Sequence, residues 1–196
     1  GPSTLYAVLG IGGASFINQG RIVATGQTAR LGIGSGQFTN AATASIEVVD
    51  GEASVSAATD LVNNGVVTVD GGTLAIGGIL EGSGVISIAN GGTVDIAGAG
   101  LAGQSLMFTS RGTLELDTPT FFQSAVLAMD QGGVIRLAGN ATGLGYDGNQ
   151  LTVQGGDGRV FDINVVGPYS FSSFLFAHDA LGTAIKPYPC CRFEHG

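Results

Sequence analysis

Tryptophan is absent from this 196-residue chain, lysine occurs once, at Lys186, and cysteine appears only as the adjacent residues Cys190 and Cys191. Each shortage closes a class of protein. Neighbouring cysteines can close only a strained ring, so no disulfide framework staples the core, and the two are read as free thiols or an intermolecular link. The single lysine and scattered arginines, set against 15 acidic residues, give a net charge of −8. That balance excludes a nucleic-acid surface, which needs clustered cations to displace counterions from phosphates. Charged residues make up only 11% of the chain and hydrophobic ones 44%, which excludes disorder. Few prolines and no strict glycine triplet exclude collagen. No apolar run reaches about 18 residues, so no helix is expected to span a membrane. Histidine occurs only as His178 and His195, with no Cys or His at ligand spacing, so neither a metal site nor a cofactor is expected. The opening Gly1-Pro2 resembles the scar of a cleaved tag. The missing signal peptide is therefore uninformative, and the chain is read as a fragment.

Glycine is abundant, and it is placed with a period. GGTLAI from Gly71, GGTVDI from Gly91, RGTLEL from Arg111 and GGVIRL from Gly132 set their second glycines 20, 20 and 21 residues apart. Such spacing means that one structural unit is stacked. Within each phrase, alternate residues are apolar: Leu74 and Ile76, Val94 and Ile96, Leu114 and Leu116, Ile135 and Leu137. Parallel, in-register pairing of the copies would make these two interior ladders and put Ala75, Asp95, Glu115 and Arg136 outside. A strand before each phrase adds the inward series Ile86, Leu106, Leu127 and Ile88, Phe108, Met129. Glycine-bearing corners join the two strands. Earlier units open on Phe16-Ile17-Asn18, Phe38-Thr39-Asn40 and Leu61-Val62-Asn63, whose asparagines suit a hydrogen-bonded corner ladder.

The expected fold is all-β, a right-handed parallel β-solenoid of about six or seven rungs over residues 1–139. At about 4.8 Å per rung the stack is some 30 Å long. Beyond Gly139 the period fails and Phe161, Tyr169, Phe171, Phe174 and Phe176 gather. Residues 140–188 are read as a β-rich cap over the last rung, and 189–196 as a tail. An antiparallel sandwich also uses many short strands and glycine turns, but it does not require constant offsets between glycine pairs.

GSGVISIANGGTVDIAGAG (82–100), followed by LAGQSLMFTSRGTLELDTPTFF (101–122), resembles the repeat passengers of bacterial autotransporters and related large alphaproteobacterial surface proteins. YDGNQLTV (146–153) and GPYSFSSFLFAHDALGTAI (167–185) are similar to their usual ending. The resemblance implies a β-helix, residence outside the cell and no catalytic residues. In some of these proteins a self-processing Hint domain follows at once, opening on a cysteine nucleophile, and Cys190 and Cys191 stand at that place. The usual entry motif runs Cys-Phe, two residues, then Gly-Thr, whereas Cys191 is followed by Arg192-Phe193-Glu194-His195-Gly196.

Other chemistry is sparse. GGDGRVFDI from Gly155 is a single copy out of phase with calcium-binding nonapeptides and reads as a turn. GIGSGQ from Gly32 and GLGYDGN from Gly143 precede no helix and so lack an anion site. His178 beside Asp179 reads as a polar loop. Outward Asp95 and Glu115 on adjacent rungs could serve as paired carboxylates for glycoside cleavage, the enzymatic alternative. The leading expectation is a non-catalytic structural or adhesive segment of a secreted or cell-surface bacterial protein. Its outward threonines Thr73, Thr93 and Thr113 would meet surface glycans or further copies of the chain. Assembly into an extracellular filament is the alternative.

Overall fold

A computed structural model describes residues 7–11, 15–26, 28–33, 36–170 and 173–188. Cys190, Cys191, the rest of the 189–196 tail, Phe171 and part of the glycine loop after Gly32 lie outside these residues.

The four copies of the glycine phrase continue one long parallel sheet that runs through Ala7–Ile11, Thr28–Ile33, Glu52–Val55, Thr73–Ile76, Gly92–Ile96, Gly112–Leu116 and Gly133–Leu137. A second face holds Phe16–Asn18, Gly36–Asn40, Thr59–Asn63 and Leu80–Glu81, continued by single bridges at Gly100 and Phe122. The third face is built from Arg21–Thr25, Ser45–Val49, Val66–Asp70, Val85–Ala89, Ser105–Phe108 and Ala125–Leu127. The chain therefore winds through about six turns of a β-solenoid. Consecutive rungs on each face pair in parallel, which rules out the antiparallel sandwich.

Register follows the alternation in the sequence. Leu74, Val94, Leu114 and Ile135 pair in one column, and Ile76, Ile96, Leu116 and Leu137 in the next, all buried. On the third face Ile46, Val67, Ile86, Leu106 and Val126 continue the core, and on the second Phe38, Leu61 and Leu80 do so. Each such side chain contributes about 1.5–3 kcal/mol relative to exposure, so a ladder of them outweighs any single surface contact. The two positions of the glycine pair do different work. Gly91, at the first, takes a positive φ of 85°, whereas a Cβ on Gly112, at the second, would lie 2.5 Å from Ile88 Cγ2.

One expected ladder is corrected. Val126, not Leu127, stands opposite Leu106, and Leu127 is only half-buried on the outer side. The lengthened spacing before Gly133 explains the difference. Its extra residue is absorbed at the corner, where Ala128 takes φ 55° and Met129–Gln131 coil into one 3₁₀ turn. That turn swings Met129 back into the core, where it is fully buried as the alternation anticipates.

After Leu137 the chain changes pairing mode. Ala141–Asp147, Gln150–Gly155 and Val160–Val166 form an antiparallel meander whose last strand lies parallel on Ala125–Leu127. Phe174–Asp179 and Gly182–Pro187 form a hairpin laid antiparallel on Gly133–Leu137. Buried Leu151, Val153, Ile163 and Val165 extend the core, beside a cluster of Tyr146, Tyr169 and Phe174 with centroids 5.2–6.1 Å apart.

Candidate functional site

The outer face of the long sheet carries two columns. In the first, Thr73, Thr93 and Thr113 stand directly opposite one another, half-buried, with Glu52 before them and Val134 after. At about 4.8 Å between strands they present three hydroxyls in a row. The column then runs into the cap. Ile135 and Ile185 pair and point inward, so Val134 and Lys186, each one residue along, share the outer face, and Leu175 lies opposite Lys186.

The second column is Ser54, Ala75, Asp95, Glu115, Arg136 and Ala184. Asp95 and Glu115 are direct neighbours. Asp95 Oδ1 is buried with no hydrogen-bond partner, and burial, followed by the charges of Asp117 and Glu115, pushes its carboxyl above the usual range. Arg136 lies 3.6 Å from Glu115 but holds Asp179 more closely, Nη1 reaching both carboxylate oxygens at 2.7 and 2.8 Å. Hydrogen bonding from Arg136 keeps the Asp179 carboxyl below its ordinary range. His178 turns instead to Thr183, Nδ1 to Oγ1 at 3.1 Å, so His178 and Asp179 do not act as a pair.

A recess of about 530 Å³ opens beside this column, between the Asp117–Phe121 segment and the cap turn that includes Asp157 and Arg159. That turn belongs to the GGDGRVFDI segment. Gly155 and Arg159 close it backbone to backbone, and Asp157 accepts from the Arg159 amide at 3.0 Å. The GLGYDGN segment likewise forms a hairpin, Ala141–Asp147 against Gln150–Gly155. No group of three or more His, Cys, Asp or Glu side chains able to hold a metal ion occurs among the described residues.

A second groove, of about 680 Å³, lies where the threonine column meets the cap. Its walls are the corner Asp130–Val134 and, across from it, Pro168, Tyr169, Ser173 and Lys186–Tyr188. Tyr169 is fixed by the aromatic cluster behind it and by its hydroxyl, which accepts from the Asp130 amide at 3.1 Å and lies 3.2 Å from Asp130 Oδ1. Burial raises its phenol above the ordinary range. The Tyr188 amide donates to the Ser173 carbonyl, while the Tyr188 residue is 54% exposed.

A polar device inside the stack complements these surfaces. Asn18 Nδ2 donates to Asn40 Oδ1 at 2.9 Å, and Asn40 Nδ2 donates to Asn63 Oδ1 at 2.9 Å, forming the expected corner ladder. Its other end is closed by a glutamine. Asn63 Nδ2 donates to Gln104 Oε1 at 3.1 Å, and Gln104 Nε2 reaches the Asn63 and Glu81 carbonyls. The longer amide spans the rung that offers only Gly82 at this corner, which is the physical role of the glutamine in the GQSLMF phrase.

The fold defines the class of the molecule: a capped parallel β-solenoid with short corners. Comparison with protein-family models, with curated proteins and with solved structures returned no match.

Proposed function

We propose that this chain is a stiff, non-catalytic segment of a secreted or cell-surface bacterial protein, a stalk or passenger that serves surface attachment. The observation that carries the reading is the uninterrupted stack. About six turns keep one register, and the longest connections among strands between residues 36 and 137 are only 97–104 and 117–124. A β-helix that works on a polymer builds its cleft from long inserted loops; these corners instead keep the outer face plain and continuous. The acidic, lysine-poor surface and the resemblance of residues 82–122 to surface-protein repeats support the extracellular assignment.

Two measurements test it. Small-angle scattering should give an elongated particle of constant dimensions across a concentration series; a long axis that grows with concentration would establish the filament alternative instead. Antibody labelling of intact producing cells should detect the segment, and labelling only after lysis would overturn the surface assignment.

A further inference from the structure

The threonine column and the cap groove are one surface, and the groove holds the chain's only lysine. Arg21, Arg136 and Arg159 each face a carboxylate within 4.0 Å, whereas Lys186 makes no ion pair among the described residues. The carboxylate across the groove, Asp130, is already engaged by the Tyr169 hydroxyl and by Gln131 Nε2 at 3.0 Å. Lys186 is therefore left to meet an anion from outside. Beside it the exposed Tyr188 ring offers a flat apolar surface, a second wall is the fixed ring of Tyr169, and Ser173, whose hydroxyl accepts from the Ser170 amide at 2.9 Å, closes the rim.

We propose that the groove and the threonine column together bind a linear polysaccharide carrying carboxylates, such as a uronic-acid chain. This rests on the reading of the segment as an extracellular attachment element. Lys186 takes one sugar carboxylate, Tyr188 stacks on the C–H face of a pyranose ring, and Thr113, Thr93 and Thr73 exchange hydrogen bonds with hydroxyls of the units that follow. The volume lies in the range of sites that enclose small ligands, and the column extends it by roughly 10 Å along the solenoid. The neighbouring recess is a poorer anion site, since Arg159 is already paired with Asp157 at 3.5 Å and Asp117 faces the same space.

The test is titration of the purified protein with a short oligogalacturonate, and with a neutral dextran oligomer of equal length, followed by calorimetry and by amide chemical shifts. Saturable binding of the acidic oligomer is expected, with shifts at Lys186, Tyr188, Tyr169 and Thr113. Lys186→Gln should weaken it about tenfold, the scale of one charge-assisted hydrogen bond, and Tyr188→Ala by a similar factor. Both side chains are exposed, so both variants should melt as the parent does. Absence of binding, equal binding of the neutral oligomer, or affinity indifferent to both substitutions would overturn the proposal. None of these outcomes bears on particle shape or cell labelling, so the attachment reading stands or falls separately.

Discussion

Asn40 is fully buried at the centre of the amide ladder, and removing its side chain should cost far more than its size suggests. In Asn40→Ala, the Asn63 Oδ1 and Val66 carbonyl acceptors lose their donor, and Asn18 Nδ2 loses one of its two acceptors. A buried polar atom stripped of its partner costs about 1–3 kcal/mol, and the small cavity adds to this, so the total is about 3–4 kcal/mol. For a chain of this length each kcal/mol lowers Tm by about 2–4 °C, which places the shift at about 6–16 °C. Asn40→Asp should be at least as damaging at neutral pH, because an anion would replace the donor that faces Asn63 Oδ1. Burial would raise that carboxyl, so the folded state would bind the extra proton, and stability should recover as pH falls through the raised folded value. Thermal melts by far-ultraviolet circular dichroism suit a protein without tryptophan. A loss below about 1 kcal/mol for Asn40→Ala, or strict additivity with Asn63→Ala, would refute the ladder as a cooperative unit.

Three further outcomes follow from the same packing. Leu114→Asp places a charge in the fully buried column and should unfold the stack, whereas Glu115→Lys, one residue along and outward, should cost well under about 1 kcal/mol; equal tolerance in urea melts would refute the inward and outward assignment. Gly112→Ala drives a methyl group to 2.5 Å from Ile88 Cγ2 and should cost about 1–3 kcal/mol, while Gly20→Ala, with open space around it, should stay within about 0.5 kcal/mol. Asp95→Asn should stabilise the fold at neutral pH by a few tenths of a kcal/mol, because it removes the cost of half-burying a charge and then the repulsion from Asp117 and Glu115. Because the folded carboxyl is raised, the folded state binds more protons between the unfolded and folded pKa, and parent stability falls as pH rises through that window. The advantage of the Asp95→Asn variant should accordingly vanish in melts run below the unfolded pKa of about 3.9.

The long first face is legible from Thr73 onward because its last four strands repeat both glycine spacing and apolar alternation, which together align Leu74, Val94, Leu114 and Ile135. The third face was legible until Leu127, where counting back from Gly133 misplaced the register by the one residue that Ala128 absorbs. The second face offered only the Phe-x-Asn and Leu-x-Asn triplets, because at two rungs it shrinks to single bridges at Gly100 and Phe122 with no strand to alternate. Gln104 carries no local signal of its role, because its partner Asn63 lies 41 residues away, on a rung two below, and has a different side chain. The cap groove left almost no trace, since its walls come from three separated segments joined only by antiparallel hairpins after the period ends. The isolation of Lys186 in the composition was the one signal that pointed there.

The stacking direction also decides how the segment would bear load. Its strands run across the long axis, so the ladder bonds between rungs lie along it and a pull between the ends would strain those bonds in tension, peeling rungs in turn instead of shearing whole sheets. Each released rung of about 20 residues would lengthen the chain by roughly 70 Å. The molecule would then give way in small, repeated steps, and refolding onto the remaining stack would have a template at every stage.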